Sequence, residues 1–281
     1  MASGFKWPSR PRAVWFFAAA LLFLTPPAPA MALDEPYDHS LWDKFLKKFV
    51  NEKGEVHYGA VKADPGLLDA YLLQIASIED QFKVEWPREE KLALWLNAYH
   101  AGLIKIASEH YPIKSIQAIP GVWTADLVKV AGHFYSLNTL REGILLGAFR
   151  DEKIHAALSS GARSSPRLSR EAYTGPRVEG QLLLAARRFV SDPELNKIRA
   201  GEKKIYLSKI FKWYAQDFSL DFGVPENDRD LSVQEYAVLS FAANYHDDPE
   251  IVSYLEDSRY KIKYLPFDWS LNDWRTGQST A

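Results

Sequence analysis

The sequence predicts an α+β fold, a single helix-dominated domain with a small antiparallel sheet. Three observations lead to this prediction. Apolar residues recur at helical spacing through much of the chain, strand-like segments are few and short, and no linker, repeat or low-complexity tract interrupts the sequence. Residues 31–281 are therefore expected to fold as one domain, since about 251 residues can bury a full hydrophobic core.

The first helices are marked by apolar spacing and by residues that begin helices. Apolar side chains recur every three or four residues over 41–49. Asp64 is predicted to cap a helix that starts at Pro65. The longest helix is predicted to begin at Pro87 and to run to about Glu109. Its apolar residues lie on every side, which is typical of a helix buried all round.

Short extended segments are expected to form the sheet. Residues 128–137 are predicted to be a hairpin with Gly132 at its turn, and residues 260–265 a terminal strand. Residues 203–207 are predicted to be a strand that leads into a helix capped by Ser208. The other predicted elements are a short extended piece over 56–58 and helices over 137–150, 181–190, 232–243 and 249–255.

The N-terminus has the features of a secretory signal peptide. Three basic residues and no acid precede an unbroken apolar run, and small-x-small cleavage sites end at Ala30 and Ala32. Eleven apolar residues are fewer than the roughly 20 that span a bilayer, and three prolines follow them. We expect residues 1–30 to be removed, the mature chain to begin at Met31 or Leu33, and no stable membrane anchor to remain. The protein is predicted to be secreted, or periplasmic if its source has an outer membrane.

Charge and composition exclude several classes of protein. Residues 1–30 carry three basic and no acidic residues, so 31 basic and 36 acidic residues remain after their removal. This mildly acidic balance gives no electrostatic footprint for nucleic acid. The chain has no cysteine and therefore no disulfides. Nine Trp, fourteen Tyr and fifteen Phe predict an aromatic-rich core instead.

Metal and cofactor sites are not predicted. The seven histidines have no partner at the spacing of a zinc site, and no Gly-rich phosphate loop is present. Scattered acidic residues leave calcium or magnesium open, because acids far apart in sequence can meet in space. The sequence therefore predicts no cofactor and no structural zinc.

Five separated segments carry recognisable motifs. They are Leu94-Trp-Leu-Asn97-Ala-Tyr99-His100 with His110-Tyr-Pro112, Gly132-His-Phe-Tyr-Ser-Leu137, Asp151-Glu-Lys-Ile-His155, residues 207–218 and residues 264–272. In this order they resemble the domain-of-unknown-function 547 family. The resemblance covers nearly the whole mature chain and implies an uncharacterised family rather than a defined reaction.

Residues 155–168 resemble the signature of that family, in which a His precedes an apolar run and two cysteines five residues apart. Ser160 and Ser165 stand at the two cysteine positions. The resemblance implies a thiol-hydrolase-like site with His155 as the base and Ser160 at the nucleophile position. Arg141 aligns with the acid of the family, however, and an arginine cannot orient a basic imidazole. An equally coherent interpretation is that the family cysteines form a disulfide whose two partners were lost together.

Ser160 could itself be the nucleophile, with His155 near it in sequence. The surrounding residues lack a Gly-x-Ser-x-Gly elbow, and no orienting acid is apparent. A serine beside a glycine is more often a turn residue. The sequence therefore favours a protein without catalytic activity.

Asn97 lies among the apolar residues of the long helix, so its amide must be hydrogen-bonded to the backbone of a neighbouring segment or to His155. Arg163 and Arg167 flank Ser165-Pro166 and could attract an anionic ligand. The candidate binding residues are Asn97, Tyr99, Arg141, Arg163 and Ser165.

The sequence predicts an exported cell-envelope protein that binds an unknown envelope ligand or protein and is not an enzyme. The alternative is a hydrolase or acyl-transfer enzyme that acts on peptide-like envelope material, with Ser160 and His155 as its active pair. If Asn97, Arg141, His155 and Ser160 line one open cleft, a functional site is favoured. If they are buried separately, structural roles are favoured.

Overall fold

The fold is organised around one long buried helix, α5 (Arg88–Glu109). In the computed structural model of the protein, 17 of the 22 residues of α5 are buried, on every side of the helix. Helices α2 (Tyr58–Ala63), α3 (Gly66–Ala76) and α7 (Val178–Ser191) pack against it. The sequence prediction of a long helix buried all round is therefore confirmed.

The structure describes residues 35–222, 231–257 and 260–274. All of them belong to one compact unit that spans residues 31–281. The signal peptide predicted at residues 1–30 lies outside the described residues and stays a prediction. Within the described ranges, no helix combines the length and the apolar character that a membrane crossing requires.

The other helices are short. They are α1 (Ser40–Phe49), α4 (Phe82–Glu85), α6 (Ile154–Ala157), α8 (Lys209–Trp213), α9 (Ala215–Phe222), α10 (Val233–Tyr245) and α11 (Pro249–Asp257). The predicted cap Ser208 accepts a hydrogen bond from the backbone of Ile210. Ser232 and Glu235 form a capping box at the start of α10. Local sequence signals therefore fix where these helices begin.

Two two-stranded sheets are present among the described residues. Strands β1 (Val128–Val130) and β2 (His133–Tyr135) form the predicted antiparallel hairpin, with Gly132 in its turn at a φ of 79°. Strands β3 (Lys204–Leu207) and β4 (Lys261–Tyr264) pair in parallel. The helix-dominated α+β class with a small antiparallel sheet is confirmed, and the parallel pair is an addition that the sequence did not predict.

Three local predictions differ from the structure. Helix α3 begins one residue later than expected, with Pro65 as its N-cap, because Asp64 instead ends α2. The predicted extended piece stops soon after Val56, which forms two β-bridges, since α2 begins at Tyr58. The segment Thr139–Phe149 is a π-helix. Apolar spacing indicates a helix there but does not show its wider turn.

Hydrophobic side chains form two clusters. The first surrounds α5, and the second lies among α7 to α11. The centre of the second cluster is a set of phenylalanine rings in mutual contact, Phe189, Phe211, Phe218 and Phe241. Both clusters are rich in aromatic rings, as the composition predicts.

The C-terminal segment after β4 returns to α5. Leu271 donates a backbone hydrogen bond to Lys114 at 2.8 Å, and Asn272 donates one to Gly161 at 2.9 Å. The buried hydroxyl of Tyr58 donates to Oδ1 of Asn272 at 2.8 Å. These contacts hold the loop that contains Gly161 between α5 and the C-terminal segment.

Two helical glycines provide a test of the packing against α5. A Cβ atom at Gly102 would lie 2.4 Å from Cγ2 of Val128, whereas a Cβ atom at Gly180 in α7 would meet nothing within 4 Å. We expect Gly102→Ala to lower the free energy of unfolding by about 1–3 kcal/mol through overpacking. Gly180→Ala should raise it by up to about 1 kcal/mol through helix propensity. Urea unfolding of both variants measures the contrast, and equal effects would contradict the close approach of β1 to α5.

Candidate functional site

A pocket that is partly open to solvent lies beside α5 and the second hydrophobic cluster. We call it the Arg141 pocket. It is lined by Tyr99, Arg141, Leu146, His155, Leu158, Ser160, Ser165, Ile210, Trp213, Tyr214, Phe267 and Trp269. Five of the seven candidate site residues are among these, and Asn97 and Arg163 are not. The open cleft that the sequence analysis looked for therefore exists without Asn97.

Asn97, in the middle of α5, is fully buried and supports the fold. Its Nδ2 atom donates to the carbonyl of Tyr173 at 2.8 Å, and its Oδ1 atom accepts from the backbone nitrogen of Tyr173 at 3.0 Å. Of the two partners that the sequence allowed, the structure shows the backbone of a neighbouring segment and not His155. Both ends of the amide are thus satisfied away from the pocket.

The segment 155–168, which resembles the family signature, is called the signature loop. Its two arginines do not line the pocket. Arg163 is exposed, and its backbone nitrogen donates to the carbonyl of Ser270 at 2.9 Å. Arg167 pairs with Asp192 at 2.7 Å and also with Glu194. Arg141 is the arginine that faces the pocket.

The signature loop is held by hydrogen bonds to its backbone. The backbone nitrogen of Ser159 donates to Nε2 of His100 in α5 at 3.1 Å. The hydroxyl of Ser165 donates to the carbonyl of Ala162 at 2.5 Å and lies 3.3 Å from the hydroxyl of Ser159. Gly161 adopts a φ of 75°, which favours glycine. The loop is therefore fixed on both sides of Ser160.

Two hydroxyl groups on the pocket wall are buried without a hydrogen-bond partner among the described residues. They belong to Tyr99, which is fully buried, and to Ser160. Burial raises the pKa of Tyr99, while the nearby positive charge of Arg141 partly offsets this. Arg141 lowers this pKa by its charge and by a weak hydrogen-bond contribution, although no contact of the Tyr99 hydroxyl meets the distance and angle limits of a full hydrogen bond. Ser160 and Ser165 therefore differ, because only the hydroxyl of Ser165 is satisfied within the loop.

His155 has an acidic partner that the sequence analysis missed. Its Nε2 atom lies 3.0 Å from Oδ2 of Asp217, and its ring contacts Tyr214 and Phe218 at centroid distances of 4.4 and 5.2 Å. These three residues lie in the segment 207–218 that carried one of the motifs. Their spacing of three and four residues places them on one helical face, which was the available signal.

Arg141 is anchored by neighbouring polar groups. Its Nε atom donates to Oε1 of Glu142 at 2.7 Å, and its Nη2 atom donates to Oδ1 of Asn138 at 3.2 Å. The guanidinium also lies over the ring of Trp123, 5.3 Å from the centroid. The hydroxyl of Tyr214 donates to the same Oε1 atom of Glu142 at 3.1 Å, and burial raises the pKa of Tyr214 to about 12. The position of the guanidinium is thus set before any ligand binds.

Three aromatic side chains, Trp213, Phe267 and Trp269, form an aromatic wall in the lining of the pocket, and none of them was predicted as a site residue. Trp213 stacks on Trp269 at a centroid distance of 6.0 Å, and Phe267 lies 4.9 Å from Trp213 and 4.4 Å from Trp269. Trp213 is 46 % exposed. This wall joins the end of α8 to the C-terminal segment, which are far apart in sequence.

A second, wider cleft adjoins the Arg141 pocket. It shares Leu146 and His155 with that pocket and contains Asp151, Glu152 and Asp217. The described part of the chain contains no group of three or more His, Cys, Asp or Glu residues that could hold a metal ion. Two of these acidic side chains are instead paired within the protein. Asp217 pairs with His155, and Asp151 pairs with Lys153 at 2.9 Å.

Two buried histidines predict a loss of stability in mild acid. Burial lowers the pKa of His39 and of His100 to about 4, from the usual value of 6.5. Because the folded protein favours the neutral rings, their contribution is complete above pH 6.5 and is lost as the pH falls toward 4. Each should lower the free energy of unfolding by about 2 kcal/mol between pH 7 and pH 5.

His100→Gln is the matched variant, because a glutamine amide can accept near the position of Nε2 but does not titrate in this range. We expect its stability, measured by urea unfolding, to depend less steeply on pH than that of the wild type. Identical pH dependence in the two proteins would contradict a neutral, buried His100.

In the comparisons with known proteins, the matching part of the chain contains most of the residues that line the Arg141 pocket. No curated protein and no solved structure matches the chain significantly. Residues 84–190 match the family model described as "Protein of unknown function, DUF547". This segment contains α5, the π-helix and the signature loop. The match supports the DUF547 family for this part of the chain, in agreement with the motifs of the sequence.

Proposed function

We propose that the protein is an exported ligand-binding protein of the cell envelope and that the Arg141 pocket holds its ligand. The observation that carries this proposal is the pair of buried hydroxyl groups on Tyr99 and Ser160, which have no partner among the described residues. Both residues line the pocket. An unpaired buried hydroxyl costs about 1–3 kcal/mol, so a ligand that hydrogen-bonds to both would recover this free energy on binding.

The composition of the pocket supports the same proposal. Apolar and aromatic side chains predominate in its lining, with a few polar groups among them. This composition is typical of small-molecule sites. The proposed envelope location rests on the signal peptide predicted from residues 1–30.

The proposal predicts an unusual effect of removing the two hydroxyl groups. Tyr99→Phe and Ser160→Ala should leave the free energy of unfolding of the ligand-free protein unchanged or raise it by about 1 kcal/mol, because each removes an unpaired polar group. Tyr58→Phe is the matched control, since its buried hydroxyl is bonded to Asn272 at 2.8 Å. The control should lose about 1–2 kcal/mol.

Urea unfolding of the three variants measures this difference. A loss of stability in Tyr99→Phe and Ser160→Ala as large as that in Tyr58→Phe would mean that the two hydroxyls serve the fold. The proposed binding role would then lose its main support.

A second candidate function, acyl hydrolysis or transfer, is favoured by the contact between His155 and Asp217. An acid bonded to one nitrogen of an imidazole stabilises the protonated ring and leaves the other nitrogen to act as a base. His155 would take the proton of Ser160 as its Oγ atom attacks an acyl carbon, and would return that proton to the leaving group. The hydroxyl of Ser160 makes no hydrogen bond to His155 here, and for this reason binding ranks first.

Trapping an acyl adduct tests the second candidate. The wild type is incubated with p-nitrophenyl acetate, and the intact mass and the peptide that carries the adduct are determined. If the protein is a hydrolase, an acetyl group should appear on Ser160, be absent in Ser160→Ala, and form at least about tenfold more slowly in Asp217→Asn. An unmodified Ser160 would exclude this serine mechanism for that ester.

A further inference from the structure

We propose that the ligand of the Arg141 pocket is a carboxylic acid with a flat, ring-bearing body. Its carboxylate would lie against Arg141, Tyr99 and Ser160, and its ring would lie against the aromatic wall of Trp213, Phe267 and Trp269. This inference rests on the proposed function and specifies the chemical class of the ligand.

The charge of the lining favours an anion. Arg141 is the one side chain with a permanent charge among the described residues that line the pocket, and no carboxylate belongs to that lining. Its Nε and Nη2 atoms are held by Glu142 and Asn138. A guanidinium fixed in this way presents its remaining N–H groups to a planar anion at little entropic cost.

The neighbouring hydroxyls favour a carboxylate over a phosphate. The hydroxyl groups of Tyr99 and Ser160 can each donate a hydrogen bond to an anionic oxygen, and neither has a full hydrogen bond to another described residue. Hydrogen bonds to a charged acceptor are about twice as strong as neutral ones. Because Glu142 already pairs with one side of the guanidinium, the pocket suits the single negative charge of a carboxylate better than the double charge of a phosphate dianion.

The aromatic wall favours a flat ring. Two tryptophan rings and a phenylalanine ring lie within 6.0 Å of one another, and Trp213 is 46 % exposed. Exposing a large aromatic ring to water is unfavourable, and aromatic pairs prefer offset-stacked or edge-to-face contact with another ring. Leu146, Leu158 and Ile210 add further apolar surface to the lining. A compact aromatic acid therefore matches both parts of the pocket lining.

Three probes separate the contributions of charge and ring. Phenylacetate has both, phenylacetamide keeps the ring without the charge, and acetate keeps the charge without the ring. Titration calorimetry with the wild-type protein should show that phenylacetate binds at least about tenfold more tightly than either of the others. This comparison needs no variant and so does not depend on how a substitution affects folding.

Substitutions then locate the binding site. Arg141→Gln should remove the preference for phenylacetate over phenylacetamide, and Trp213→Ala should weaken both ring-bearing probes by at least about fivefold. Arg187→Gln is the control, because Arg187 is half-exposed, lies 3.8 Å from Asp247 and is absent from the pocket lining. It should bind all three probes like the wild type.

Failure of this inference can be distinguished from failure of the proposed function. If phenylacetamide binds as tightly as phenylacetate, the carboxylate assignment is overturned while ligand binding in the pocket stands. If phenylacetate does not bind, or binds equally well to Arg141→Gln, the inference is overturned. The proposed function is decided separately, by the stabilities of the Tyr99 and Ser160 variants.

Discussion

The burial of α5 on every side is the constraint on which the rest of the structure depends. A helix without a solvent face cannot leave its polar side chains to water, so each needs a partner inside the protein. Asn97 meets this need at Tyr173, and His100 meets it at the backbone nitrogen of Ser159. Both bonds fix a neighbouring segment against the helix. Tyr99, between them, has no hydrogen-bond partner for its hydroxyl among the residues that the structure describes, and Tyr99 lines the pocket. Tyr99, the exception among these polar residues, therefore lies at the candidate site. Asn97 and His100 instead hold neighbouring segments against α5.

The C-terminal segment turns a surface loop into one wall of a pocket. It bonds to the backbone of Gly161, buries Asn272 against Tyr58, and carries Phe267 and Trp269. The same stretch of chain thus fixes the signature loop and supplies aromatic surface to the pocket that Arg141 lines. Because the segment is paired through β4 to β3, which leads into α8, Trp213 is placed on the same side. Paired strands and buried hydrogen bonds give the pocket its shape in a chain that has no cysteine to form a disulfide.

The sequence predicts best those features that depend on neighbouring residues. The extent of α5, the hairpin turn at Gly132 and the cap at Ser208 follow from local spacing and turn chemistry, and all are present. Five of the seven candidate site residues, which were chosen from the family motifs, line one pocket. The partner of His155 was missed, because Asp217 is more than sixty residues away and no local pattern pairs them. The aromatic wall was missed for the same reason. The π-helix was not predicted, because the spacing of apolar residues does not distinguish its wider turn from the turn of an α-helix.

Ser160 and Ser165, which the sequence resemblance places at two cysteine positions, occupy different environments. The hydroxyl of Ser165 is bonded within the loop to Ala162, which is what a serine needs at a buried structural position. The hydroxyl of Ser160 is buried at the pocket and has no hydrogen-bond partner in the described part of the chain. A loop that merely lost a disulfide would place similar demands on both positions. Here one position contributes to the loop and the other to the pocket, beside His155 and Arg141. This asymmetry favours a site at Ser160 that still has a role, either in holding a ligand or in chemistry at His155, over a loop that only lost a covalent link.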